Sequence, residues 1–185
     1  TFENLFDNSD NIDSKKLQHF IKERIPKAII IGPGFIKQEI NERVLEILLD
    51  YSNNKNGFLV FDAGAIHGIK NLLGNKKFNI NKTLVTPHPK EWLKIDLDIP
   101  LMSPLYINNL QELGDISKKT GITLCYKSST PMVIDVNGSA KILNIANNIL
   151  ARAGSGDVLA GIIAAHGING LDASLSFLRS QAILF

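Results

Sequence analysis

The chain of 185 residues is the size of one domain, long enough for a single substantial core. Its composition, 44% hydrophobic and 21% charged with a formal net charge of +2, carries neither the basic signature of a nucleic-acid binder nor that of a membrane-surface protein. No stretch nears the roughly 18–20 apolar residues of a membrane span, the opening segment does not read as a signal peptide, and Cys125 stands alone, so a cytoplasmic, reducing compartment is expected.

In chain order, residues 13–24 read as an exposed helix with Asp13 or Ser14 as its cap. Ala28-Ile29-Ile30-Ile31 is an unalternated apolar run ending at Gly32-Pro33-Gly34, the pattern of a parallel strand buried on both faces. Gln38–Asp50 sets Ile40, Val44, Ile47 and Leu48 at helical spacing. Phe58–Phe61 is a second buried strand, ending at Asp62, and Thr83–Val85 a third, ending at Thr86-Pro87-His88-Pro89. A helix over 104–119 leads into the strand Ile122–Tyr126, in which Cys125 is expected to be a buried structural thiol. Met132–Val136 and Ala140–Leu143 flank Asn137-Gly138, a hairpin signal. Asp157–His166 is apolar nearly all round, which predicts a buried helix, and a further apolar helix over 171–185 closes the chain.

Strands alternating with helices imply right-handed βαβ units: an α/β fold with a mostly parallel central sheet covered by helices on both faces, in three α/β/α layers. Ligands of such sheets bind beyond the carboxyl ends of the strands. Gly32–Gly34, Asp62, Thr86–His88 and Lys127 each follow a strand and so gather at that end.

The motif richest in chemistry is Ala151-Arg152-Ala153-Gly154-Ser155-Gly156-Asp157-Val158-Leu159-Ala160-Gly161, a small-residue loop opening directly into a helix. Unsatisfied backbone N–H groups and the positive end of the helix dipole converge there, which makes an anion site suited to a transferring phosphoryl group. Asp157 in the first turn can take the proton of an attacking hydroxyl; the alternative is a carboxylate that merely caps the helix. The loop is not a Walker A motif, because no G-x-x-x-x-G-K-[ST] occurs, and Gly32-Pro33-Gly34 lacks the third glycine of a dinucleotide fingerprint.

Gly154-Ser155-Gly156-Asp157-Val158-Leu159-Ala160-Gly161 resembles the anion-hole and catalytic-base signature of the ribokinase-like superfamily, and within it the ADP/ATP-dependent NAD(P)H-hydrate dehydratase family. Four further segments resemble that family in order: Ile31-Gly32-Pro33-Gly34-Phe35, Phe61-Asp62-Ala63-Gly64-Ala65-Ile66, Leu84-Val85-Thr86-Pro87-His88-Pro89-Lys90-Glu91, and Leu124-Cys125-Tyr126-Lys127 with Met132-Val133-Ile134. Departures are present: Ser128 stands for the family's Gly after Lys, Pro131 for its Thr, Gly64 for the second Asp of D-A-D, and Lys90 for Gly after H-P. Only Asn147 survives from G-N-P-G. On this resemblance residues 1–185 are the C-terminal two-thirds of one ribokinase-like dehydratase domain, cut at the N-terminus and within the final helix. The full protein is expected to be a homo-oligomer, with an epimerase domain ahead of the dehydratase a possibility.

The resemblance implies substrate contacts from Gly32, Gly34, His88 and Asp157, with Asp157 as catalytic base. It implies nucleotide contacts from Lys127, Ser128, Ser129, Thr130, Pro131, Gly154, Ser155 and Gly156. Gly32 and Gly34 also read as a tight turn after a strand, and Asp62 either holds Mg²⁺ through water or orients a loop, or caps the next helix. Trp92 reads as core, and His19, His67 and His166 have no metal-like spacing with His88. The implied reaction is ATP- or ADP-driven, Mg²⁺-assisted loss of water from NADHX or NADPHX through a phosphorylated intermediate. A kinase of a vitamin precursor in the same superfamily, and a catalytically silent structural domain, are the alternatives. Neither nucleic acid nor a membrane is an expected partner.

Overall fold

The computed structural model describes residues 5–6, 11–35, 40–68, 78–79, 81–92, 110–144 and 154–184. Helix α1 (Ser14–Arg24) is capped by Asp13, whose carboxylate accepts the amides of Lys15 and Lys16. Strand β1 (Ala28–Ile31) follows. Helix α2 (Glu42–Asn54) opens at Asn41, whose side chain accepts the Val44 amide, and therefore starts later than Gln38 and runs past Asp50. Next come β2 (Phe58–Phe61), a 3₁₀ turn over Ala63–Gly68, β3 (Thr83–Val85), the single-turn α3 (Pro89–Trp92), α4 (Leu110–Thr120) and β4 (Ile122–Tyr126). The expected helix over 104–119 is observed from Leu110; residues 104–109 lie outside the described residues. The chain continues through β5 (Met132–Ile134), β6 (Ala140–Ile142), α5 (Ser155–Ile168) and α6 (Ala173–Leu184).

The six strands lie in sequence order. β1 to β4 are parallel, and β5 and β6 return antiparallel. Parallel strands that step in one direction through right-handed crossovers must leave their connecting helices on one face. There α1, α2 and α4 bury Leu17, Val44, Leu48 and Leu113 against Leu59, Phe61 and Leu124. The opposite face is covered from later in the chain, where α5 and α6 pack Leu159, Ile163 and Phe177 onto Phe58, Val60, Leu84 and Cys125. The three α/β/α layers are those the sequence pattern implies. β2 carries the two-sided burial in full, since all four of its residues are buried.

Three expectations are corrected. β1 is not buried on both faces: among the described residues it pairs with β2 alone, and Ile30 remains 37% exposed. The hairpin strands stop at Ile134 and Ile142, and the turn between them is built by the Asp135 carboxylate, which accepts the amides of Asn137 and Ser139. Helix α5 is not buried all round, since Val158 is 53% and Ile168 46% exposed on one side. Its apolar circumference faces α6 and the sheet on only part of its surface.

Candidate active site

Strand register assembles the site. Ile31 pairs with Phe61, Phe61 with Val85 and Val85 with Leu124, so the residues following β1, β2 and β3 emerge together. β4 runs two residues further, and the Lys127 amide then donates to the Pro87 carbonyl at 2.8 Å, tying its loop to that of β3. Thr86 is tied back likewise, its amide donating to the Phe61 carbonyl at 3.0 Å.

At the centre is Asp62, only 2% exposed. Its Oδ1 accepts the Thr86 hydroxyl at 2.6 Å and the Lys127 ammonium at 2.5 Å. Lys127 Nζ also lies 4.0 Å from Glu91 Oε2. Glu91 in turn accepts the His88 amide at 2.9 Å, and its Oε1 stands 3.2 Å from His88 Nε2. His88 Nδ1 accepts the amides of Lys90 and Glu91, so the imidazole caps α3. An accepting Nδ1 and an Nε2 facing a carboxylate define the Nε2–H tautomer. The ring nitrogens are thus engaged within their own loop, while the half-exposed ring is open to a ligand.

The Gly32 turn is built against Asp62. At φ +115° a Cβ on Gly32 would sit 1.8 Å from the Asp62 carbonyl oxygen, so no other residue fits. Gly34 differs, because a Cβ there meets nothing within 4 Å and its space is open. Asp62 turns its carboxylate to Thr86 and Lys127, both of which donate to Oδ1, rather than to the following turn.

The small-residue loop arrives from the other helix layer. Gly154 at φ +84° is the N-cap of α5 and, being glycine, supplies no side-chain cap, and Asp157 lies in the first turn. Amides of a first turn have no intrahelical acceptor, and the dipole adds positive potential. A Cβ on Gly156 would stand 3.9 Å from Lys127 Nζ and 4.0 Å from Asp62 Oδ2. The helix terminus therefore faces the Asp62–Lys127 pair, with Asp157 exposed beside it. Ala151–Ala153, the first part of the motif, lie outside the described residues, as does Asn147.

Of the proposed nucleotide segment, Lys127 reaches this centre. Ser128 and Thr130 form a local turn, the Ser128 hydroxyl donating to the Thr130 carbonyl and accepting its amide. Ser129 is exposed, and Pro131 is buried at the start of the hairpin, accepting the Leu143 amide. Glu91 is the member that sequence reasoning quoted without assigning a role. Its signal was the carboxylate three residues after His88, the spacing at which the two side chains meet on one helical turn.

Among the described residues no three His, Cys, Asp or Glu side chains converge as a metal cage. The donor set instead suits Mg²⁺, which takes one or two carboxylates and completes its octahedron with water and phosphate oxygens. Asp62 Oδ2, facing the α5 terminus, and Glu91 are the carboxylates in place for it.

The profile of the NAD(P)H-hydrate dehydratase family matches residues 5–167. The chain belongs to this family. Among the family's curated members, the bifunctional NAD(P)H-hydrate repair enzyme Nnr of Dictyoglomus turgidum is 30% identical over 146 residues, 78% of this chain and 27% of that protein. The ADP-dependent (S)-NAD(P)H-hydrate dehydratase of Enterococcus faecalis is 29% identical over 141 residues, 74% of this chain and 44% of that one. The chain thus spans less than half the length of these curated relatives. Solved structures show the fold: a ribokinase-like superfamily protein from Enterococcus faecalis superposes with TM-score 0.61 at 23% identity, covering 90% of this chain and 55% of that one. The Bacillus subtilis ADP/ATP-dependent NAD(P)H-hydrate dehydratase, co-crystallised with ATP and Mg²⁺, gives 0.57 at 21% identity, covering 85% and 53%. No helix among the described residues is long and apolar enough to cross a membrane.

Proposed function

We propose that the protein of which these residues are part dehydrates NADHX or NADPHX to NADH or NADPH at the expense of ATP or ADP, with Asp157 as the base. The observation that carries this reading is the facing of the α5 terminus and the Asp62–Lys127 pair across Gly156, in a chain of the NAD(P)H-hydrate dehydratase family. Hydroxide leaves poorly and phosphate leaves well, so the reaction first converts one into the other. Asp157 takes the proton of the C6 hydroxyl as that oxygen attacks the terminal phosphorus, and the nucleotide departs with one phosphate fewer. The backbone of Gly154–Gly156 and the Lys127 ammonium stabilise the charge on the phosphoryl oxygens in transit. Asp62 and Glu91 are the residues that would hold Mg²⁺, which would supply further neutralisation of phosphate charge. The ring nitrogen then drives out phosphate by cleaving the C6–O bond, and loss of a C5 proton restores the reduced nicotinamide. Substrate is bounded by the Gly34 turn, whose space is open, and by the face of His88; Ser128, Ser129, Thr130 and Pro131 border the nucleotide.

The test is nucleotide-dependent conversion of NADHX, followed by the return of NADH absorbance, in the complete protein and in its Asp157→Asn variant. A complete protein that phosphorylates a vitamin alcohol and leaves NADHX untouched would overturn the reading in favour of a kinase. One that binds both ligands without turnover would make the domain structural.

A further inference from the structure

Two departures from the family's pattern fall on one patch of the site. Helix α3, which His88 precedes and which carries Lys90 and Glu91, packs against the 3₁₀ turn Ala63–Gly68 that carries Gly64. Gly64 stands where the pattern has an aspartate, and Lys90 where it has a glycine. The first change removes a negative charge and the second adds a positive one. Both move the patch in the same direction.

Packing fixes the first change. A Cβ on Gly64 would stand 2.4 Å from the Phe35 Cβ and 2.5 Å from the Phe35 carbonyl oxygen, closer than non-bonded atoms approach. The turn after β1 lies so tightly on Gly64 that an aspartate there would have to displace it. The second change is not spent inside the protein. Glu91 is engaged by the amide and ring of His88 and stands 4.0 Å from Lys127, and Asp62 holds Lys127. Lys90 is exposed, and among the described residues no carboxylate comes within ion-pair distance of its ammonium. Successive residues on a helical turn point about 100° apart, so Lys90 is directed away from the side on which Glu91 meets Lys127. Its amide donates to His88 Nδ1 at 3.1 Å, which keeps its stem beside the half-exposed ring.

We propose, building on the dehydratase reading, that Lys90 is a substrate-binding residue that takes a phosphate of the hydrated dinucleotide, on a patch kept clear of a competing carboxylate by Gly64. An ammonium on a flexible stem binds phosphate as a point charge and needs no fixed fork of donors. The phosphoryl group in transit is served by Lys127 and the α5 terminus, on the other side of Glu91. What remains for Lys90 is phosphate of the substrate itself: the diphosphate that both hydrates carry, or the 2′-phosphate that NADPHX alone carries.

The experiment uses the complete protein and its Lys90→Gln, Lys90→Gly and Lys90→Arg variants. Turnover of NADHX and of NADPHX is measured over a range of salt concentrations, beside the binding of NADH and NADPH followed by their fluorescence. Lys90→Gln and Lys90→Gly are expected to raise KM about fivefold with kcat unchanged, the effect of one exposed charge pair, and to flatten its salt dependence. Lys90→Arg should restore both. A rise confined to NADPHX assigns the 2′-phosphate, and an equal rise for the two hydrates assigns the diphosphate. Unchanged KM for both hydrates, with unchanged affinity for NADH and NADPH, would overturn the proposal. The binding measurement keeps its failure apart from that of the dehydratase reading. A protein that turns over neither hydrate, yet loses affinity for NADPH on Lys90→Gln, retains the phosphate site and forfeits the reaction.

Discussion

Asp62 follows a central strand and Asp157 lies in the first turn of a helix whose terminus faces Asp62, and the two are held in opposite ways. Asp62 is buried, fixed by a hydroxyl and an ammonium, and its position follows from the register of three strands. Asp157 is exposed on the first turn of a helix whose N-cap is a glycine. A carboxylate paired inside the protein is a structural charge, whereas one left open at a helix terminus is available to a ligand. In the proposed mechanism the first holds the Lys127 ammonium and the second takes the proton.

The contrast is broken most severely by neutralising Asp157 and by removing the cation that holds Asp62. Asp157→Asn in the complete protein is expected to lower turnover at least ~10³-fold while leaving hydrate binding and melting temperature nearly unchanged, because an amide cannot take the proton. Steady-state kinetics beside a thermal melt check this, and near-wild-type rates would remove Asp157 from its role. Lys127→Met, by contrast, should act on the fold, since it strands the buried Asp62 carboxylate without its cation. Removing one partner of a buried pair costs about 3–5 kcal/mol, and the 16% exposure of the Lys127 side chain argues for the lower figure. Denaturant unfolding reads it; an unchanged midpoint would mean that water replaces the ammonium.

A smaller effect sharpens the line between the two halves. At Gly156 a Cβ makes only ordinary contacts, with Lys127 at 3.9 Å and Asp62 at 4.0 Å, so Gly156→Ala should fold normally. Gly156→Val adds branches in the space reserved for phosphate and should weaken nucleotide binding about tenfold, roughly 1.4 kcal/mol, with hydrate binding spared. Equal nucleotide affinity in a calorimetric titration would count against the anion site.

The smallest change lies away from the site and serves as its control. Burial pushes the Tyr51 hydroxyl, which donates to the Pro26 carbonyl at 3.0 Å, up to about 12. A raised folded value means that this contribution is whole below the ordinary tyrosine value near 10 and is lost as pH climbs from there through about 12. Tyr51→Phe should cost about 1 kcal/mol at neutral pH and flatten the alkaline loss of stability, without touching turnover. A pH titration of the unfolding midpoint in both proteins measures it.

Much of this was legible in the chain because it is local. The run Gly154–Asp157 carries its own helix start, and Phe58–Phe61 announces two-sided burial by being apolar throughout. The gathering of Asp62, Thr86 and Lys127 at one end of the sheet was legible, but their pairing was not, because the partners lie 24 and 65 residues apart and meet through sheet register. The engagement of His88 is local and was hidden for a different reason, since a ring nitrogen that caps its own helix looks in sequence like one held ready for substrate. The exposed flank of α5 was misread because an apolar circumference says what a helix prefers and not how many neighbours it has.

Because the crossovers fill one face of the sheet and α5 and α6 fill the other, one side of β4 stays uncovered until the last helices dock. Cys125 lies on that side, fully buried in the finished fold, and burial pushes its thiol up. Its reactivity is therefore a clock for the closing of the second layer. A thiol reagent present during refolding should label Cys125 until α5 is seated, and so should mark the moment at which Gly154 and Asp157 reach the strands they face.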